Sequence, residues 1–232
     1  MRFVRGAFLV LLYAVVLVLV APFVLLSMVF GVRGAIIVFG KGIMRLSGAI
    51  LGIRIETSGL ENVEPGRPYI FMANHASFLD GPLLVTVIPR NVRVILKKSV
   101  FDIPVLGWAM LHVGFVPVDR KASGGGKKSI ETAVHLIKKK EYSFLIFPEG
   151  TRTLDGSLGR FRRGGFFLAL AAGVPILPVT LRGTFELMPK GSFGARPGRV
   201  SVTFHPPIPV EGYTSENMEE LVEKIRDAIG RP

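Results

Sequence analysis

The sequence predicts an α/β fold: a mixed sheet covered by helices, preceded by an N-terminal two-helix membrane-associated motif. Three observations predict it. The 232 residues are 49% hydrophobic and only 20% charged, with a mean hydropathy of +0.47, greasier than an ordinary soluble domain. The apolar excess is concentrated near the N-terminus. Beyond about residue 55, short apolar runs alternate with stretches of helical period, the pattern of a sheet covered by helices.

Taken in order, Ala7 to Phe30 is a run of 24 residues without a charge, roughly 36 Å as a helix and long enough to span a bilayer. Arg2 and Arg5 look like the basic start of a signal peptide. The apolar stretch is too long for that reading and no small-x-small cleavage site closes it, so a retained anchor is expected. Gly34 to Ile53 is apolar but interrupted by Lys41 and Arg45, which predicts a helix lying at the interface rather than crossing the hydrocarbon. Residues 1–54 therefore read as a membrane-anchoring helical hairpin and residues 55–232 as the α/β domain. Arg33, Lys41, Arg45 and Arg54 follow the first run and place the bulk of the chain on the cytoplasmic side, with Arg2 and Arg5 pulling the other way.

Tyr69–Ala73, Val92–Leu96, Phe115–Val118, Ser143–Phe147, Ile176–Leu181 and Val200–Phe204 read as strands. Lys127 to Lys140 carries Ile130, Val134 and Ile137 on one helical face, after a flexible linker at Gly124–Gly126. A last helix, opened by Thr214 or Ser215, buries Met218, Leu221, Val222, Ile225 and Ile229.

Composition excludes several chemistries. The chain has no Cys, hence no disulfide framework, thiolate zinc site or cysteine nucleophile. Lys and Arg number 29 against 17 acidic residues, a net charge of +12, which implies partners bearing phosphates or anionic headgroups. His112, His135 and His205 have no carboxylate or His at metal spacing, so they read as structural and no metal is expected.

Three turns carry chemistry. Asn74-His75-Ala76-Ser77-Phe78-Leu79-Asp80 follows a strand. If His75 lies in the turn and Asp80 in the first helical turn, the carboxylate holds the imidazole as a general base for a hydroxyl. The alternative is a capping box, Ser77-x-x-Asp80. Phe147-Pro148-Glu149-Gly150-Thr151-Arg152 offers backbone N–H groups, a hydroxyl and a guanidinium for a phosphate, or else a Pro-Gly turn with a solvated Arg. Gly114-Phe115-Val116-Pro117-Val118-Asp119-Arg120 puts Arg120 just past a strand, as a substrate contact or as part of a surface pair of Asp119 with Arg120 or Lys121. The run Arg160, Phe161, Arg162, Arg163 interleaves basic and aromatic residues, as nucleic-acid binders and membrane-surface segments both do.

With Val-Pro-Ile-Leu-Pro-Val at residues 174–179, these blocks resemble, in order and spacing, the glycerolipid acyltransferase family, closest to its bacterial 1-acylglycerol-3-phosphate branch. The resemblance implies His75 as base and Asp80 as its partner, with Arg120, Glu149, Gly150, Thr151 and Arg152 binding the glycerophosphate end of the acceptor. Lys97 or Lys98 matches a basic substrate-binding position between the first two blocks. It further implies transfer of a fatty acyl group from acyl-CoA or acyl carrier protein to the sn-2 hydroxyl of 1-acylglycerol 3-phosphate, giving phosphatidate. No cofactor is implied beyond the thioester co-substrate. The implied partners are a lysophospholipid acceptor and a phospholipid membrane, not nucleic acid, with the catalytic domain on the cytoplasmic face of the inner membrane. The same blocks would serve acylation of glycerol 3-phosphate or another lysolipid. A different class, a membrane-anchored nucleic-acid-binding or scaffold protein, would rest on charge alone.

Overall fold

The computed structural model describes residues 21–119, 124–192 and 194–230, with residues 11, 14, 15 and 18 of the first apolar run. Arg2, Arg5 and most of the expected anchor lie outside the described residues. Among the described residues no helix is long and apolar enough to cross a membrane. Residues 21–29 are helical, and helix α1 follows at Arg33–Ile50.

The expected interfacial helix is α1, but its two cations serve the fold. Lys41 Nζ donates to the carbonyl of Ile88 at 3.2 Å and Arg45 Nη2 to that of Thr86 at 3.3 Å. Those carbonyls end helix α2 (Asp80–Val87), where backbone oxygens lack helical partners and partial negative charge collects. The chain then turns at Gly52 into strand β1 (Ile53–Ser58). The helix expected over Gly34 to Ile53 thus ends at Ile50. The alternation Ile53, Ile55, Thr57 pairs β1 in parallel with β7 (Gly198–Phe204).

The other strands are β2 (Ile70–Ala73), β3 (Val92–Lys97), β4 (Val116–Val118), β5 (Ser143–Ile146) and β6 (Ile176–Arg182). They form one seven-stranded sheet in the order β1-β7-β6-β2-β5-β3-β4. Only the β6–β7 pair is antiparallel, so the sheet is mixed, as expected. Helix α3 spans Leu106–His112, α4 Gly125–Lys140, α5 Gly164–Ala172, α6 Thr184–Leu187 and α7 Met218–Gly230. Gly125 and Gly126 open α4 rather than forming a linker. Helix α7 opens at Met218, where Asn217 Oδ1 accepts the N–H of Thr214 at 2.6 Å and holds Thr214 and Ser215 in the preceding turn.

Apolar residues fill both faces. Leu83, Leu84 and Ile88 of the α2 segment pack on one side with Phe71, Leu145 and Val179. On the other, Ala133 and Ile137 of α4, Phe166 and Leu168 of α5 and the five expected residues of α7 cover Ile70, Met72 and Phe144. Each such side chain contributes about 1.5–3 kcal/mol by leaving water. All four β2 side chains are fully buried, which fixes that strand at the centre. The chains leaving β2 and β5 depart to opposite faces of the sheet, as α2 and α5. Such a divergence opens a crevice at the carboxyl ends of parallel strands.

Candidate active site

The crevice is built from the two loops leaving β2 and β5. Asp80 opens α2, and its Oδ2 accepts from His75 Nδ1 at 2.8 Å and from the backbone N–H groups of Ala76 and Ser77 at 2.7 Å each. One oxygen thus meets both sequence readings of this segment. Only the acidic half of a capping box forms, because Ser77 Oγ accepts from Leu79 N–H at 3.1 Å and donates to the Met188 carbonyl at 2.7 Å. Asp80 is fully buried and His75 half-buried. With Nδ1 donating to a carboxylate, the imidazole lone pair lies at Nε2. The ring stacks on Phe147, with centroids 4.0 Å apart and planes 18° from parallel.

The second loop grips the backbone of the first. Glu149 Oε1 accepts the N–H of His75 at 2.7 Å, Glu149 Oε2 accepts that of Gly159 at 2.8 Å, and Thr153 N–H donates to the His75 carbonyl at 2.9 Å. Glu149 is only 5% exposed. Burial pushes its carboxyl above the ordinary range, while the two N–H groups pull the other way. A Cβ at position 159 would stand 2.7 Å from Oε2, so glycine there is what lets the carboxylate reach the backbone. Gly150 turns the loop with φ at +70°, a conformation glycine adopts without steric penalty. Asn74 stitches β2 to β6, accepting the Leu181 N–H at 2.7 Å and donating to its carbonyl at 2.9 Å.

Two clefts meet at Glu149 and Thr153. One, of about 190 Å³, holds Asn74, His75, Ser157 and Arg182. The other, of about 790 Å³, is lined by Thr151, Arg152, Arg160, Arg162, Arg163 and Arg226 among others. The basic run at 160–163 therefore lies along a cleft beside the histidine. Arg163 is tied to Glu219 at 2.8 Å on the surface.

The structure brings His75, Asp80 and Glu149 into one hydrogen-bonded unit and puts Gly150, Thr151 and Arg152 at its edge. Thr151 is exposed and Arg152 half-buried, with Lys190 Nζ 3.5 Å from both Thr151 Oγ1 and the Arg152 carbonyl. Glu149 faces backbone donors with both oxygens, a positioning arrangement. Lys97 is exposed at the end of β3, separated from β2 by β5. Lys98 pairs with Asp119 at 3.8 Å. Arg120 and Lys121 lie outside the described residues. Sequence reading gave no role to Asn74, Phe147, Arg182 or Lys190. The first two stand inside the motifs, and only the fold brings the others near.

Residues 54–182, which include all four sequence blocks, match the Acyltransferase family. The chain belongs to that family. Among relatives of this acyltransferase, the chloroplast 1-acyl-sn-glycerol-3-phosphate acyltransferase of Brassica napus is 40% identical over 157 residues, 67% of this chain and 45% of that protein. The human 1-acyl-sn-glycerol-3-phosphate acyltransferase alpha is 30% identical over 180 residues, 78% of this chain and 64% of its own. The acyltransferase thus spans about half to two thirds of the length of the curated relatives it matches. The crystal structure of the 1-acyl-sn-glycerophosphate (LPA) acyltransferase of Thermotoga maritima superposes with a TM-score of 0.81 at 27% identity, over 99% of this chain and 95% of that one.

Proposed function

We propose that this acyltransferase moves a fatty acyl group from an acyl thioester, acyl-CoA or acyl carrier protein, to the sn-2 hydroxyl of 1-acylglycerol 3-phosphate, giving phosphatidate. The observation that carries the reading is the 2.8 Å bond from His75 Nδ1 to the buried Asp80, which leaves Nε2 as the base. Nε2 takes the hydroxyl proton as the acceptor oxygen attacks the thioester carbonyl. The tetrahedral intermediate expels the thiolate, which recovers the proton from the imidazolium. A thioester is already activated, so a positioned base and a donor for the oxyanion suffice, without a covalent acyl-enzyme. Asp80, its Oδ2 held in place by two backbone N–H groups, orients the ring and stabilises the imidazolium.

Arg152 binds the acceptor phosphate from the cleft beside His75, with Gly150 and Thr151 next to it and Arg120 and Lys97 as further contacts. A backbone N–H near Lys97 serves the oxyanion. The N-terminal segment, residues 1–54, anchors the enzyme to the cytoplasmic face of the inner membrane. The exposure of Val29, Phe30, Val38 and Leu46 supports that reading, since these apolar side chains are little covered by the described residues. The names of the relatives support the choice of acceptor.

Purified enzyme incubated with radiolabelled lysophosphatidate and each acyl carrier in turn tests the reaction and names the donor. Labelled phosphatidate is expected with one carrier, and none with either would reject the reading. His75→Ala should lower turnover by about 10²–10⁴ with the protein still folded, and a variant keeping half the wild-type rate would remove His75 from the mechanism.

A further inference from the structure

The end of the sheet opposite His75 gathers cations around a cavity. Lys41 of α1 and the residues preceding β3 and β5 line it, a space of about 380 Å³ bounded by Lys41, Arg90, Asn91, Lys140, Glu141 and Tyr142 among others. Arg93 lies behind Tyr142, with its guanidinium carbon 3.8 Å from the ring centroid. This arginine is only 1% exposed, and its Nε has no hydrogen-bond partner among the described residues. Its Nη1 donates to the Val92 carbonyl at 3.2 Å. Arg33, in the first turn of α1, interacts with the Tyr142 hydroxyl.

The charge is unbalanced. Three cations, Lys41, Arg90 and Lys140, line the cavity against one carboxylate, Glu141; Arg33, Arg45 and Arg93 stand nearby, and among the described residues none of the six is in an ion pair. Burial depresses the Lys41 ammonium, and the neighbouring Arg45 and Arg93 depress it further. At Tyr142 burial pushes the hydroxyl up, but bonds and charges from Arg93 and Arg33 outweigh it and bring it down. A buried guanidinium without a carboxylate, beside an ammonium crowded by like charge, leaves a positive potential that a bound anion would relieve.

We propose that this cavity binds a phosphate group, carried by an anionic phospholipid headgroup or by a soluble phosphate. The Arg90 guanidinium, whose Nη2 donates to the Arg67 carbonyl at 2.9 Å and whose other N–H groups remain, the ammonium groups of Lys41 and Lys140, the Asn91 amide and the Tyr142 hydroxyl supply more donors than a carboxylate accepts and suit a tetrahedral oxyanion. The position, at the far end of the sheet from His75, separates this site from the acceptor's.

The test uses the full chain in neutral detergent, with Arg152→Ala in every sample so that the crevice adds no phosphate binding. Inorganic phosphate is titrated calorimetrically, and partition is measured onto vesicles of phosphatidylglycerol and of phosphatidylcholine. Two double variants carry the same charge change: Arg90→Gln with Lys140→Gln at the cavity, and Lys138→Gln with Lys139→Gln on the exposed side of α4. The expected result is one saturable phosphate site, weakened at least tenfold by the cavity pair and less than twofold by the α4 pair. A parallel tenfold loss of phosphatidylglycerol partition identifies a headgroup as the source. Unchanged partition identifies soluble phosphate. No saturable binding of either probe, or equal losses in both pairs, overturns the proposal. If the cavity pair melts early, Asn91→Asp replaces it, with the same expectation.

Discussion

At the carboxyl end of the sheet, two buried carboxylates are surrounded by backbone donors. At the amino end, the buried Arg93, the half-buried Lys41 and the exposed Arg45 face backbone carbonyls and an aromatic ring. Asp80 and Glu149 together accept four backbone N–H groups and the His75 ring, whereas Lys41, Arg45 and Arg93 each meet a single carbonyl among the described residues. The difference separates two uses of buried charge. Held by fixed donors, a charge sets geometry. With few partners it sets a potential and leaves room for a ligand.

The sharpest test of that contrast is Asp80→Asn. An asparagine carbonyl can occupy the position of Oδ2 and keep its three donors, so the variant isolates the charge. Turnover at saturating substrate should fall by about 10²–10⁴, the usual weight of general-base catalysis. A loss under tenfold would mean that geometry alone suffices.

Glu149→Gln is the next step down. One backbone N–H, of His75 or Gly159, would then face an amide NH₂, at about 1–3 kcal/mol. The wild-type carboxyl is raised by burial, so its favourable contribution is complete below the ordinary glutamate value, about 4.3, and is lost as pH rises through the raised value. Glutamine has no such dependence. The deficit of the variant in urea melts should therefore be larger at pH 4 than at pH 8, and the reverse order would place Glu149 in a different environment.

At the other end of the sheet, Lys41→Met removes one bond to the Ile88 carbonyl and one cation from a crowded group. The loss should stay near 0.5–1 kcal/mol, a fall of about 1–4 °C in the thermal midpoint. A fall above 6 °C would make Lys41 as much a structural strut as Glu149. The smallest effect is local. Asp155 is fully exposed, and bonds from the Ser157 hydroxyl and N–H and the Thr153 hydroxyl hold its carboxyl down at about 2. Whatever it contributes to loop order is present at neutral pH and fades as pH falls through that value. The Ser157 amide proton shift should titrate there, and a midpoint near 4 would show the loop open.

The sheet centre was legible in the sequence because β2, β5 and β6 are mostly apolar runs buried on both faces, with Ser143 and Thr180 the buried polar exceptions, and such runs announce parallel strands. β1 was not. Ile53–Ser58 alternates on an edge strand and follows a helix directly, so its period is hidden by the apolar stretch before it. The site motifs stood out as strings, but their joints did not. Glu149 meets His75 across 74 residues, Asn74 meets Leu181 across 107, and Lys41 meets Ile88 across 47. No local pattern encodes such contacts, because each depends on which strands become neighbours.

One joint has a consequence for anyone moving this chemistry to another scaffold. Both polar groups of the His75 peptide are held by the second loop, its N–H by Glu149 and its carbonyl by Thr153. Grafting residues 74–80 alone would carry the histidine and its aspartate but leave that peptide to choose its own orientation. The transferable unit is discontinuous: the first loop, residues 147–159 with the glycine that admits Glu149, and two adjacent parallel strands about 4.8 Å apart to hold them in register.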